Sequence, residues 1–311
     1  MSNFTLPVRF DDPKYDIAFW NIMRNRITDE TRQNAVVITS DGGYSLPSGS
    51  YVKMAEALTK ASLFRQIATF MKAYGNPYRI MAKDQHDMAE FIPDGGEFAI
   101  YDGVDDFSIK AIESYKLGVF LKLDEGFVRD ASFNIENYLI KRLAKNFGEA
   151  ETAAFINGTG VKMPTGILAD KNGAEVGVTA EALTYDDIIH LYFSVKPEYR
   201  ENGIWLMNDE TAYTLRTLKD ADGNYLWNHI DGTILGKKVV LTRHMPGVAA
   251  GAKPVAFGDF SYYWVIGRKA VSIQTLTEKF ALNEQIGYLA YEFLDGKLIR
   301  PEAIKVIRIA A

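Results

Sequence analysis

Residues 155–168 read FINGTGVKMPTGIL. A Gly-rich run beside a helix is the usual mark of a phosphate cradle, so the order of the parts decides its meaning. Phosphate loops precede a helix, because the free N–H groups of the first turn and the positive end of the dipole face the anion. Here the glycines follow a stretch with helical spacing, and the C-terminal end of a helix presents carbonyls that repel anions. The spacing fails as well. After Gly158 and Gly160 the third glycine of G-x-G-x-x-G is replaced by Met163, and no G-x-x-x-x-G-K-[ST] occurs. The stretch is therefore expected to turn the chain, with Gly158 as the left-handed residue that ends the helix.

Upstream, Ile135, Tyr138, Leu139, Leu143, Phe147, Ala150 and Ala154 recur on one face at a 3.6-residue period. Ser132 reads as the N-cap and Asn157-Gly158 as the stop. A helix of roughly 26 residues would be about 39 Å long, enough to serve as a spine. YKLGVFLKL (115–123) reads as a buried strand. Residues 78–112 open on a strand-like Tyr78-Arg79-Ile80-Met81 and carry turns at Asp94-Gly95-Gly96 and Asp102-Gly103. A two-stranded projection of this kind is marginal in water and needs a neighbouring surface, which another subunit could supply. GGYSLPSG (42–49) is rich in turn residues and leads into a helix. Residues 1 to about 45 read as an extended arm with helical spacing only at 16–27. Its aromatics Phe4, Phe10, Phe19 and Trp20 need a partner surface.

Downstream the texture becomes α/β. Thr184 and Asp187 fit a capping box that opens the helix DDIIHLYFSV. GIWLMN (203–208) is a strand, and 209–218 a second helix. ADGNYLW, KKVVLT, PVAFGDF and YYWVIG follow as turns and strands. FALNEQIGYLAYEFLDGKLI reads as a hairpin turning at Asp295-Gly296, and PEAIKVIRI as the last strand.

Chemistry is hard to find. The absence of cysteine excludes disulfides, thiolate metal sites and Cys nucleophiles. His86, His190, His229 and His244 form no HExxH or other metal spacing. The SGS at 48–50 lacks the flanks of a nucleophile elbow. DADGN (220–224) puts Gly at the fourth rather than the sixth place of a calcium loop, with Asp231 where its last ligand would be Glu. No catalytic residue, cofactor or metal is expected. A net charge of −5 argues against a general nucleic-acid binder, which needs cations to displace phosphate counterions. The N-terminus is no signal peptide, and no apolar run reaches the ~20 residues of a membrane span. A soluble, cytoplasmic chain is the expectation.

Read in order, certain pieces carry more than each does alone. They are AETAAFINGTGVKMPTGIL, then W-x-M-N followed by L-K-D-x-x-G-x-Y-L, then F-G-D-F with its trailing aromatics, then GYLAYEFLDGKLIRPEAI. From about residue 42 onward this series resembles the major capsid protein of tailed bacteriophages, the Hong Kong phage-type fold. The resemblance implies an α+β chain with an N-terminal arm (1–45) and an E-loop (78–112) lying on an adjacent subunit. It implies a peripheral domain (46–77, 113–178 and 273–299) built on the spine helix, and an axial domain (179–272 and 300–311). It implies hexamers and pentamers of this chain in an icosahedral head enclosing double-stranded DNA, found in the virion and assembled in the host cytoplasm. DNA contact would be non-specific, and no membrane is involved. Portal and decoration proteins are implied partners. A separate scaffolding protein is also implied if Met1 is the encoded start, because some relatives carry a cleaved N-terminal scaffold instead.

Under this resemblance Phe4, Phe10, Phe19, Trp20, Phe91, Ile92, Phe98, Ile100 and Tyr101 are the assembly aromatics and aliphatics. One relative joins subunits by Lys–Asn isopeptide bonds. Lys83 and Asn283 are the corresponding candidates here, although Glu292 is offset by two positions from the glutamate such chemistry uses. Two other readings stand beside it: an encapsulin-type compartment shell of the same fold, and a soluble α/β enzyme with an unrecognised site.

Overall fold

The computed structural model describes residues 11–34, 44–72, 78–83, 107–130, 132–220, 222–227 and 232–311. Two sheets organise them. The first runs in the order Tyr44–Ser45, Tyr263–Leu276, Gln285–Leu298, Tyr115–Asp124, with Thr69–Lys72 paired in parallel to Tyr263–Leu276. Its centre is a long antiparallel hairpin whose two strands have 14 residues each. The helices Pro13–Met23, Ser48–Ala61 and Ile135–Asn157 bury their apolar faces against this sheet. Tyr15, Phe19, Leu58, Leu139, Leu143, Phe147 and Tyr288 share that core.

The second sheet has six strands in the order Glu175–Ala180, Ile304–Ile309, Val255–Gly258, Ile204–Met207, Lys237–Leu241, Thr233–Ile234. The Val255–Gly258 strand carries no charge and is buried at every residue. Interior strands of a covered sheet read as continuous apolar runs for this reason. The Trp205 and Phe257 rings pack in its core with centroids 4.2 Å apart, tilted by 31°, and the Trp205 indole N–H donates to the Ile234 carbonyl at 2.9 Å. The capping box on Tyr185–Ser194 is present, with Thr184 and Asp187 satisfying each other's backbone N–H.

A third core sits where the sheets meet. Phe64, Phe155, Ile156, Ile167, Leu206, Phe260, Tyr263, Leu294 and Ile304 pack together there, drawn from both sheets and from the end of the spine helix. The chain crosses this junction three times, at 158–174, 259–262 and 299–303. Buried Lys253 holds the first crossing by donating to the Leu168 carbonyl (2.8 Å) and to Asp170 (2.9 Å).

Several sequence expectations change. The spine helix begins at Ile135, because the Asn134 side chain accepts from the Asn137 N–H at 3.0 Å, while Ser132 bonds to Asp130 instead. Asn caps as well as Ser, and Asn134 lies directly before the first buried residue. Gly158 is not left-handed: its φ is −62°. It is glycine because a Cβ would stand 2.2 Å from the Pro164 carbonyl oxygen and 2.4 Å from that of Ala154. The left-handed residues of the stretch are Gly160, at φ +77°, and Lys162, at φ +58°. Asp295-Gly296 makes no turn, since the strand Gln285–Leu298 runs straight through it. The strand over 115–123 lies at the sheet edge with alternating exposure, Leu117, Val119 and Leu121 inward and Lys116, Phe120 and Lys122 outward. The strand Tyr263–Leu276 belongs wholly to the first sheet, so the expected boundary at 272 falls inside it.

Candidate assembly surface

In the loop 158–166, four backbone N–H groups are taken up by carbonyls of the spine helix, of the crossing itself and of the long hairpin. Gly158 N–H donates to Ala154, Gly160 to Pro164, Gly166 to Gly158, and Thr165 to Gly296, all onto carbonyls. The Tyr263 hydroxyl donates to the Thr165 carbonyl at 2.8 Å. The backbone donors that would cradle a phosphate thus hold the chain crossing together. Val161 and Met163 stand exposed at the tip.

Other polar clusters also tie elements to one another. Glu149 on the spine helix accepts from His244 Nε2 at 2.8 Å and pairs with Arg243 at 2.6 Å, and Asn157 donates to the His244 carbonyl. The two hydrogen bonds and the cationic neighbours outweigh partial burial and hold the Glu149 carboxyl below its usual range. Asp220 accepts from the N–H groups of Asp222 and Asn224 and from the Asn224 amide, which closes its own turn. Among the described residues no group of His, Asp and Glu could hold a metal ion. Within the same residues, no helix is long and apolar enough to cross a membrane.

A cleft of about 800 Å³ opens between the helix Ser48–Ala61, the strand Thr69–Lys72 and the long hairpin. Met54, Leu58, Phe70, Val271 and Leu294 form apolar walls, and Arg65 and Glu292 lie at its foot. Arg65 donates to Glu151 through Nε at 2.9 Å and reaches Glu292 Oε2 at 3.2 Å. Sequence reading missed this network, although a signal was available. Glu151 stands midway between Phe147 and Phe155 on the buried face of the spine helix, a position that needs a partner for its charge.

Outward-facing apolar residues mark the surfaces free for contact. Leu282 is fully exposed at the tip of the long hairpin. Beside it the Phe120 and Phe280 rings pair at 5.4 Å, flanked by the Lys122 and Lys279 ammonium groups. Phe193 and Tyr213 stand out from helices of the second sheet.

Of the assembly residues expected from sequence, Phe19 and Trp20 serve their own chain. Phe19 is wholly buried in the core under the first sheet, and Trp20 packs on it at 5.0 Å while donating Nε1 to Ser50. This corrects the expectation of an interface role for Phe19. The helix Pro13–Met23 finds its partner surface at home, and the Tyr288 hydroxyl fastens its end by donating to the Met23 carbonyl. Phe4, Phe10, Phe91, Ile92, Phe98, Ile100 and Tyr101 lie outside the described residues. Lys83 closes the strand Tyr78–Lys83, which pairs antiparallel with Phe107–Ile112. Asn283 ends the turn of the long hairpin, far along the strand from Glu292, which is engaged with Arg65.

The sequence model described as the Phage capsid family matches residues 42–309. No curated protein matches the chain. Among solved structures, the capsid of an empty GTA particle is 27% identical and superposes with a TM-score of 0.65, over 81% of this chain and 90% of that one. The capsid of a native GTA particle is also 27% identical, with a TM-score of 0.66 over 80% and 90%. A structure from Gordonia phage Cozz, 15% identical, shares the fold with a TM-score of 0.57 over 80% and 87%.

Proposed function

The chain belongs to the phage capsid family, and from that premise we propose how this major capsid protein builds its icosahedral head. The observation that carries the reading is the single family match across 42–309, which takes in both sheets, the spine helix and all three crossings between them. The family and fold imply a structural role rather than a catalytic one. The head encloses double-stranded DNA and is made of hexamers and pentamers of this chain. The six-stranded sheet lies toward the centre of each capsomer, and the projection 78–112 lies on an adjacent copy. Each copy offers several different patches that recur around a closed shell, so many weak contacts add up to a stable particle. With a net charge of −5 the inner surface holds DNA loosely and without sequence preference. Portal and decoration proteins are separate partners, and assembly takes place in the host cytoplasm.

Deleting residues 88–104 tests the reading. The expected product is a folded subunit that forms no closed shells by negative-stain microscopy; normal particles would refute the role of the projection. Nucleic acid extracted from wild-type particles is expected to be DNA, whereas particles filled with a protein cargo would favour a compartment shell.

A further inference from the structure

At the foot of the cleft two carboxyl groups meet one guanidinium. Glu151 comes from the spine helix, Arg65 from the short helix Phe64–Ile67, and Glu292 from the strand Gln285–Leu298. The side chains of Glu151, Glu292 and Arg65 are 0%, 7% and 18% exposed. One cation cannot neutralise two enclosed carboxylates, and an unpaired buried charge is strongly disfavoured. A second observation points the same way. Glu292 Oε1 is buried and has no hydrogen-bond partner if it is an acceptor. An ionised oxygen there would be orphaned, whereas a protonated one is a donor with Glu151 at hand to accept. Charge and hydrogen bonding both call for one proton.

We propose that Glu151, Glu292 and Arg65 form a proton-loaded latch: one proton shared between the two carboxyl groups fastens the spine helix to the long hairpin, and its loss releases them. Burial, and then the charge of Glu151, push the Glu292 carboxyl well above its usual range, and Arg65 opposes them only in part. The other charged groups near the latch come from several elements. Lys72 and Arg268 line the cleft from the strands on either side, and the residues that Ser48–Ala61 contributes to the cleft are uncharged. Lys116, on the neighbouring strand, sits over the Tyr291 ring at 4.0 Å, and Asp295 lies three residues along from Glu292. The cations favour loss of the proton, and burial together with Glu151 outweighs them. The open cleft brings water to the latch, so the proton exchanges with solvent.

The unfolded chain releases the same proton near 4.5. Between that value and the raised one the folded chain binds the extra proton. The folding constant therefore falls about tenfold per pH unit as pH rises through this window. Above it the latch stands open, with two carboxylates repelling across one guanidinium.

Infrared spectra and thermal unfolding of the full-length chain from pH 6 to 10 test the proposal, with Glu292→Gln as the variant, since a neutral amide imitates the protonated acid. The expected wild-type spectrum keeps the carbonyl band of a protonated carboxylic acid above the Asp295 transition, which lies at about 6. The unfolding midpoint falls with rising pH while the band persists, and levels off where the band is lost. Glu292→Gln should lack the band and unfold at a constant temperature over the same range. A wild-type spectrum with no such band above the Asp295 transition overturns the latch, as does a variant whose midpoint follows the wild-type decline. Should the variant fail to fold, the wild-type band alone decides.

Discussion

The hydroxyl of Tyr263 donates to the carbonyl of Thr165 at 2.8 Å, and both residues are buried. The bond joins the loop behind the spine helix to the first strand of the long hairpin. Gly296 makes room for it, since a Cβ there would stand 2.7 Å from the Tyr263 oxygen. Tyr263→Phe keeps the ring contacts with Phe64 and Phe155 but leaves the Thr165 carbonyl unpaired. The expected loss is about 1–3 kcal/mol, seen as a lower urea midpoint at unchanged slope.

Gly158→Ala separates lack of space from backbone strain. Its φ of −62° suits any residue, yet both atoms in the way are backbone oxygens that cannot rotate aside. A cost of about 3 kcal/mol is expected from the overpacking. Gly223→Ala is the control: φ is +85° and nothing lies within 4 Å, so only about 1 kcal/mol of conformational strain is expected. Equal losses in the two variants, read by chemical denaturation, would show that Gly158 is not held by crowding.

Asp295 supplies a pH prediction. Its side chain is enclosed, accepts from the Glu113 and Gly296 N–H groups, and has Lys297 at 3.9 Å. Burial outweighs these and pushes its carboxyl up to about 6. The folded chain therefore holds a proton that the unfolded chain releases near 3.8, and stability falls as pH rises from about 4 to about 6. Asp295→Asn should flatten that decline, whose full size is up to about 3 kcal/mol. Parallel pH profiles for variant and wild type would remove Asp295 as the cause.

Leu282→Asp should leave the subunit's thermal midpoint almost unchanged, within about 0.5 kcal/mol, because the side chain touches solvent alone. Particle yield by light scattering should drop, since a charge at the hairpin tip opposes apolar contact with a neighbouring tile. Phe19→Ala should do the opposite and destabilise the subunit itself by about 3–5 kcal/mol. A variant at 282 that assembles normally would mean that the tip faces solvent in the head.

What the sequence revealed and what it hid divide along the range of the forces. The spine helix, the Thr184 capping box and the strand around Trp205 were legible because period and caps are written within a few residues of one another. Asp295-Gly296 was misread because turn propensity is local, whereas the groups that hold it in a strand, the Glu113 N–H and the Thr165 N–H, lie far away in the chain. Gly158 was misread for a related reason. Glycine signals either unusual dihedrals or a lack of room, and only the fold tells which. Phe19 seemed to need a neighbour because its partners Leu139 and Tyr288 stand more than a hundred residues off. The resemblance, by contrast, rested on the order of motifs along the whole chain, which no local force can blur.

The threefold passage of the chain between its sheets has a mechanical consequence. Two bodies joined by one strap swing freely, but three straps with a packed core among them resist both torsion and shear. Any change in the curvature of the shell must then be absorbed at the seams between tiles, with each tile moving as a stiff plate.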